Sequence, residues 1–270
     1  MKILFLANKD LASNFALNKI LPEISANHDT HLWLSARVGK EGNPPKQLAR
    51  LKFFEQDLFN QLLSPLIQRA KNKKSYKTFE NFTSLLSSEI REVNQINSPQ
   101  MIEDLKALAP DLIVSIRYGG ILKEQVINVP HRGVINLHSG ILPKYKGVMA
   151  TFWALKNKDS EIGTTLHTID DSSIDTGKII KVSRLKVMAG RSYLYHVLEL
   201  YKQGALDILS AIETLSAGLT LNSHPQDESQ SYFTFPNASE CEEFENDGLT
   251  IVDEQAYMAF MQRYYIDNNA

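Results

Sequence analysis

Two nearly uninterrupted apolar runs, Asp111-Leu112-Ile113-Val114-Ser115-Ile116 and Gly133-Val134-Ile135-Asn136-Leu137-His138, constrain the fold most. Runs so short and so apolar fit strands covered on both faces, the condition of a central parallel sheet. The opening residues 2–7 form another, followed by the polar turn Asn8 to Ser13 and by helically spaced apolar residues from Asn14 to Leu21. With His31 to Ser35 as the next short strand, the chain begins β-α-β, the unit of doubly wound sheets. A helix with Ser98 as cap and Pro99 in its first turn leads into the strand at 111–116. A further helix from Ala150 precedes the strand Gly163 to Ile169. The expected class is α/β, with a doubly wound, mostly parallel sheet.

Residues 45–95 interrupt this alternation with helix-like segments around Leu48 to Ile67, broken at Pro65, and with a basic run, Lys71 to Lys77. That run reads as a solvated helix end, or as a contact for a polyanionic ligand such as a nucleotide diphosphate. A long helix is expected over 192–215, capped by Ser192 and ended by Gly218, with Leu194, Val197, Leu198, Tyr201, Leu206, Leu209 and Ile212 on its apolar face. Tyr232 to Pro236 reads as a short strand opening a C-terminal helix/strand extension, and its apolar segment Tyr232 to Phe235 is a candidate homodimer contact.

Composition excludes several classes. With 270 residues and a formal charge of −2 there is a sizeable core but no global positive field, so no nucleic-acid partner is expected. The single cysteine, Cys241, cannot form an internal disulfide and fits a reducing, cytoplasmic setting. The opening apolar run is too short for a signal peptide, and no stretch approaches a membrane span, so no membrane association is expected. His28 and His31 lack an obvious third ligand, and no metal site is expected.

Ligands of open α/β sheets bind beyond the carboxyl ends of strands. Asn136 and His138 lie there, and strand alternation aims both to one side. An amide and an imidazole so placed can hydrogen-bond one carbonyl as it becomes tetrahedral. Read singly, each is more often a structural hydrogen bonder, and Asp175 before Thr176-Gly177 is equally an Asx turn. His167 reads as a wall residue on an apolar strand.

The pattern Asn136-x-His138-x-x-x-Leu142-Pro143-x-Tyr145-x-Gly147, followed by Gly163-Thr164-Thr165-Leu166-His167 and then Ile174-Asp175-Thr176-Gly177, resembles the folate-dependent formyltransferase family. That family includes glycinamide ribonucleotide transformylase, methionyl-tRNA formyltransferase and the formyltransferases of nucleotide-linked amino sugars. Three segments agree in order and spacing, over roughly residues 100–185. The departure is Gly140, where the transformylase pattern usually has Ser; a glycine is expected to widen the loop and to remove a side-chain contact.

The resemblance implies a Rossmann-like catalytic domain over 1–185, with 186–270 as a helix and small extension. It makes Asn136, His138 and Asp175 the catalytic trio and 10-formyltetrahydrofolate the cosubstrate. The folate would lie between Tyr118-Gly119-Gly120-Ile121-Leu122 and the loop Asp170-Asp171-Ser172-Ser173-Ile174, where a glycine pair lets backbone approach a flat heterocycle; Arg117 is a further candidate. The turn containing Asn8, Lys9, Asp10 and Ser13 precedes a helix whose free N–H groups suit an anion, so acceptor phosphate or sugar groups are expected there. A small-molecule amine, most simply a nucleotide-linked amino sugar, is the expected acceptor. The separate C-terminal barrel typical of the transfer-RNA subfamily is not recognised, and the tail is acidic at Glu240, Glu242, Glu243, Glu245 and Asp247. The competing readings are a hydroxyornithine-type amino-acid N-formyltransferase, a formyltetrahydrofolate deformylase, and a non-catalytic folate or nucleotide binder.

Overall fold

The computed structural model describes residues 1–36, 43–69, 76–227 and 231–266; residues 71–75 of the basic run lie outside them. Strand β1 (Lys2–Asn8) is followed by α1 (Leu11–Ile24), β2 (Asp29–Ser35), α2 (Lys46–Lys52), a π-helical stretch Phe53–Leu63, α3 (Ser64–Arg69) and a 3₁₀ segment Phe79–Leu85. Then come β3 (Arg91–Glu92), α4 (Pro99–Leu108), β4 (Leu112–Ile116), α5 (Glu124–Ile127), β5 (Val134–His138), β6 (Lys146–Gly147) and α6 (Ala150–Lys156). The chain continues with β7 (Glu161–Thr168), β8 (Ile179–Lys186), α7 (Tyr193–Ser216), β9 (Tyr232–Phe233), α8 (Ala238–Asn246) and α9 (Glu254–Tyr264).

The main sheet has seven strands in the order β3-β2-β1-β4-β5-β7-β8. It is parallel from β3 to β5, while β7 runs antiparallel to β5 and β8 antiparallel to β7. The expected mostly parallel, doubly wound α/β class is therefore the observed one. The winding reverses between β1 and β4, which opens a crevice at their carboxyl ends, the usual ligand side of such sheets. The apolar runs explain the layering: every residue of β4 is buried, with helices on both sides.

Local signals place the helices. Ser98 accepts from Met101 N–H at the start of α4, with Pro99 in its first turn, and Ser192 accepts from Tyr195 N–H at the start of α7. Gly218, at φ +77°, follows α7 in the left-handed conformation that favours glycine. Two details differ from expectation. Leu206 is 53% exposed, because the buried stripe Leu194-Val197-Leu198-Tyr201-Ala205-Ile208-Ile212 leaves it on the outer face, and Leu209 is only half-buried. Pro65 does not break the helical run; it sits in the first turn of α3, just after the wider π turns, where its missing N–H is tolerated.

The C-terminal residues pack on the sheet's own core. Phe244 of α8 stacks on Phe152 of α6 with ring centroids 4.4 Å apart. Phe260 of α9 meets Phe15 of α1 edge-on at 4.9 Å, and Tyr265 donates its hydroxyl proton to Asn14 Oδ1 at 2.7 Å. A fully buried aromatic ring contributes roughly 2–3 kcal/mol. Strand β9 pairs with β6, and Phe233 packs on Tyr145 and Trp153 at 5.4 and 5.2 Å. Phe233 is half-buried by these contacts, whereas Tyr232 and Phe235 remain exposed. Among the described residues, no helix is long and apolar enough to cross a membrane.

Candidate functional site

Strand β5 ends at the carboxyl edge of the sheet and carries Asn136 and His138 to one side. The loop between β7 and β8 brings Asp175 to meet them. His138 Nδ1 lies 3.4 Å from Asp175 Oδ2, and His167 Nε2 lies 3.4 Å from Asp175 Oδ1. His167, opposite Asn136 in the β5–β7 pairing, is 3.0 Å from the Asn136 amide nitrogen. The three expected residues therefore converge, and a fourth joins them.

The proton positions follow from the partners. His138 Nε2 is 2.7 Å from the Tyr145 carbonyl, which only accepts, so Nε2 carries a proton. His167 Nδ1 likewise donates to the Thr168 carbonyl at 2.7 Å, so in the neutral ring Nε2 accepts from the Asn136 amide. That bond holds one amide hydrogen of Asn136 and fixes its plane.

Burial alone would raise the Asp175 carboxyl, but the charge of His138, the His167 ring 3.4 Å away and the Gly147 N–H, at 2.8 Å, together bring it down to about 2. Asp175 is thus a carboxylate at any physiological pH. It adopts a left-handed backbone, φ +55°, unusual for a non-glycine residue and found where the surroundings impose it.

Gly140 corrects one expectation. Glycine does not widen the loop: a Cβ built there would lie 2.5 Å from the Ala150 Cβ, 2.7 Å from His138 Nε2 and 3.0 Å from the Tyr145 carbonyl oxygen. The absence of a side chain is what lets His138 reach the Tyr145 carbonyl.

The two loops expected to hold a cosubstrate do face each other. Gly119, Ile121 and Ser172, with Asn97 and Lys123, line an open groove of about 830 Å³. Ile121 is 56% exposed there, an apolar side chain available to a flat ring. The remaining positions are spent differently. Tyr118 donates its hydroxyl to the Val93 carbonyl at 2.6 Å, Gly119 N–H donates to Ser35 Oγ at 2.9 Å, Gly120 packs against the Tyr118 ring, and Leu122 is buried. Asp170 accepts from Thr168 Oγ1 and Asp171 from Ser173 N–H, so both shape the turn.

The turn after β1 differs from the expectation of an anion site. Asp10 itself caps α1, accepting from Ser13 N–H at 2.8 Å, and also accepts from the Asn8 amide at 2.7 Å. Asn8, Asp10 and Ser13 are buried; only Lys9 keeps some exposure. One N–H at the helix start, that of Ser13, already serves a carboxylate of the chain, and the burial of Asn8, Asp10 and Ser13 keeps these three from presenting a binding surface. Arg117 is committed here too: its Nε donates to Asp10 at 2.9 Å and its Nη2 to Glu55 at 3.0 Å. Burial, opposed by Arg117 and reinforced by the charge of Asp10, raises Glu55 to about 7.

Sequence reasoning missed three participants. His167 was signalled by the alternation Thr165–His167, which aims it to the same face as Asn136's partner position, but its apolar neighbours suggested a wall. Gly147 stands in the recognised pattern, but its N–H contact to Asp175 carried no signal, nor did Gln226, because both contacts depend on segments distant in sequence. Among the described residues, no group of three or more His, Cys, Asp and Glu could hold a metal ion.

Residues 63–199 match the family model described as "Formyl transferase". The methionyl-tRNA formyltransferase of Kosmotoga olearia is 33% identical over 138 residues, 51% of this chain and 44% of that relative. The chain thus spans less than half the length of this curated relative. Among solved structures, WlaRD, a sugar 3N-formyl transferase solved in the presence of dTDP and 5-N-formyl-THF, superimposes with a TM-score of 0.57 at 18% identity, covering 94% of this chain and 83% of that one. Glycinamide ribonucleotide transformylase 1 from Symbiobacterium toebii superimposes with a TM-score of 0.57 at 15% identity, covering 84% and 93% respectively.

Proposed function

The chain belongs to the formyl transferase family, and from that premise we propose that it moves a formyl group from 10-formyltetrahydrofolate to the primary amine of a nucleotide-linked amino sugar. The convergence of Asn136, His138 and Asp175 at the end of β5 carries this reading. Attack by a neutral amine on the formyl carbon creates an oxyanion and an ammonium together. Asn136, oriented by His167, retains an amide hydrogen for the oxyanion and does not titrate. His138 reaches the same oxygen by offering it the Nε2 proton now directed at the Tyr145 carbonyl. Asp175, held as a carboxylate, accepts the ammonium proton and passes it, through water, to the departing folate nitrogen. No protein group becomes acylated.

The groove between Gly119, Ile121 and Ser172, the last of these on the loop that also carries Asp175, supports a place for the folate ring. The sugar acceptor draws support from the breadth of the likeness to WlaRD, which extends over 94% of this chain. A second reading, methionyl-tRNA as acceptor, is favoured by the sequence relatives; the acidic helix α8, with Glu240, Glu242, Glu243 and Glu245, opposes a polyanion there.

The test is absorbance detection of tetrahydrofolate release from 10-formyltetrahydrofolate. It is run with nucleotide-linked 3- and 4-amino sugars, hydroxyornithine, aminoacylated initiator tRNA, or no acceptor. Release with an amino sugar alone supports the proposal. Release with hydroxyornithine or tRNA moves the acceptor elsewhere, release without acceptor indicates a deformylase, and binding without release indicates a binder.

A further inference from the structure

The loop that carries Asp175 is gripped from outside the family-matched residues 63–199. Gln226 Nε2 donates to the Asp175 carbonyl at 2.9 Å and to the Gly177 carbonyl at 2.7 Å, so one amide group ties the carbonyls of the two residues that flank Thr176. Gln226 is itself held by the pairing of His224 with Ile179, N–H to carbonyl both ways at 2.8 and 3.0 Å. A few residues on, the Phe233 carbonyl accepts from Val148 N–H at 2.9 Å and presses on Gly147, where an added Cβ would lie 2.1 Å from that oxygen. Gly147 N–H is the donor to Asp175 Oδ2. The segment beyond α7 therefore touches Asp175 at its backbone through Gln226 and at its carboxylate through Gly147.

We propose that Gln226 is a positioning residue, which holds Asp175 in its left-handed conformation so that its two oxygens face His138 and His167. Asp175 at φ +55° lies in a region that is sparsely populated for a non-glycine residue, even though aspartate tolerates it better than most, so contacts that hold its backbone also fix where its carboxylate points. Gln226 Oε1 is buried with no partner. A side chain that merely filled space would avoid that desolvation cost, so the two bonds made by its amino group account for the residue. The inference rests on the reading of Asp175 as partner to His138.

The test uses the full chain labelled with ¹⁵N, without substrate, and reads the ring nitrogens of His138 and His167 by long-range ¹H–¹⁵N correlation at pH 7. Asp175→Asn sets the scale and His131, exposed before β5, is the control. Gln226→Met, which keeps the shape and removes the donors, is expected to move both rings at least half as far as Asp175→Asn while His131 stays. Gln226→Asn, an amide one methylene too short, is expected to do the same, and serves if the methionine variant unfolds. In the transfer assay, kcat falls roughly 10- to 100-fold with the folate KM unchanged. Wild-type ring shifts in the Gln226 variants, alongside displaced ones in Asp175→Asn, overturn the proposal. Unmoved rings in Asp175→Asn itself would instead overturn the pairing on which it rests.

Discussion

Replacing Asp175 by Asn keeps an acceptor for Gly147 N–H but removes the charge that His138 and His167 face. The Asp175 carboxyl is lowered from 3.8 to about 2, and each unit is worth about 1.4 kcal/mol, so the native environment favours the carboxylate by about 2 kcal/mol. The side chain is only 10% exposed, so little of this is lost to solvent screening. Because the folded value lies below the unfolded one, the stabilisation is present above the unfolded value and is lost as the pH falls through the folded value. Urea unfolding of wild type and Asp175→Asn at steps from pH 5.5 downward is the assay; urea, unlike guanidinium, does not screen the ions. The wild-type advantage is expected to carry a pH-dependent part of about 2 kcal/mol at pH 5.5, about half of it gone by pH 3. A gap that stays constant over this range would refute the ion-paired carboxylate.

Gly140→Ala puts a methyl group 2.5 Å from Ala150 Cβ and 2.7 Å from His138 Nε2; a loss of about 1–3 kcal/mol in urea unfolding is expected, with displaced His138 ring resonances. Gly204→Ala tests competing effects: alanine favours the helix by about 1 kcal/mol, but its Cβ would lie 2.8 Å from Leu137 Cδ2, and Leu137 is buried in β5 between Asn136 and His138. Net destabilisation is expected, relieved by Leu137→Ala in a double-mutant cycle. Glu55 is raised from 4.5 to about 7, so its contribution is full below pH 4.5 and is lost as pH rises through 7. Glu55→Gln is therefore expected to gain stability relative to wild type between pH 5 and pH 8, which chemical unfolding at the two values would show.

The class of fold and the core of the site were legible because both rest on local patterns. Apolar runs at 112–116 and 134–138 need no partner to identify them as covered strands, and a two-residue strand repeat is enough to put Asn136 and His138 on one side. The caps at Ser98 and Ser192 are equally local. The turn at 8–13 misled for the opposite reason. A helix start with free N–H groups looks the same in sequence whether an external anion or its own aspartate serves it, and Arg117, which pairs with Asp10, lies far along the chain.

The sequence by itself therefore determined a mostly parallel α/β sheet with an amide and an imidazole at its carboxyl edge, since side-chain periodicity and short-range capping act over a few residues, while Asp175 joined them only through the family resemblance. Only the tertiary structure decided that His167 orients Asn136, that Gly140 is bare so that His138 can reach the Tyr145 carbonyl, and that Gln226 grips the Asp175 loop. Those assignments depend on atoms a few ångströms apart in space but up to 51 residues apart in the chain. No local propensity carries that information, because it is packing that brings such atoms together.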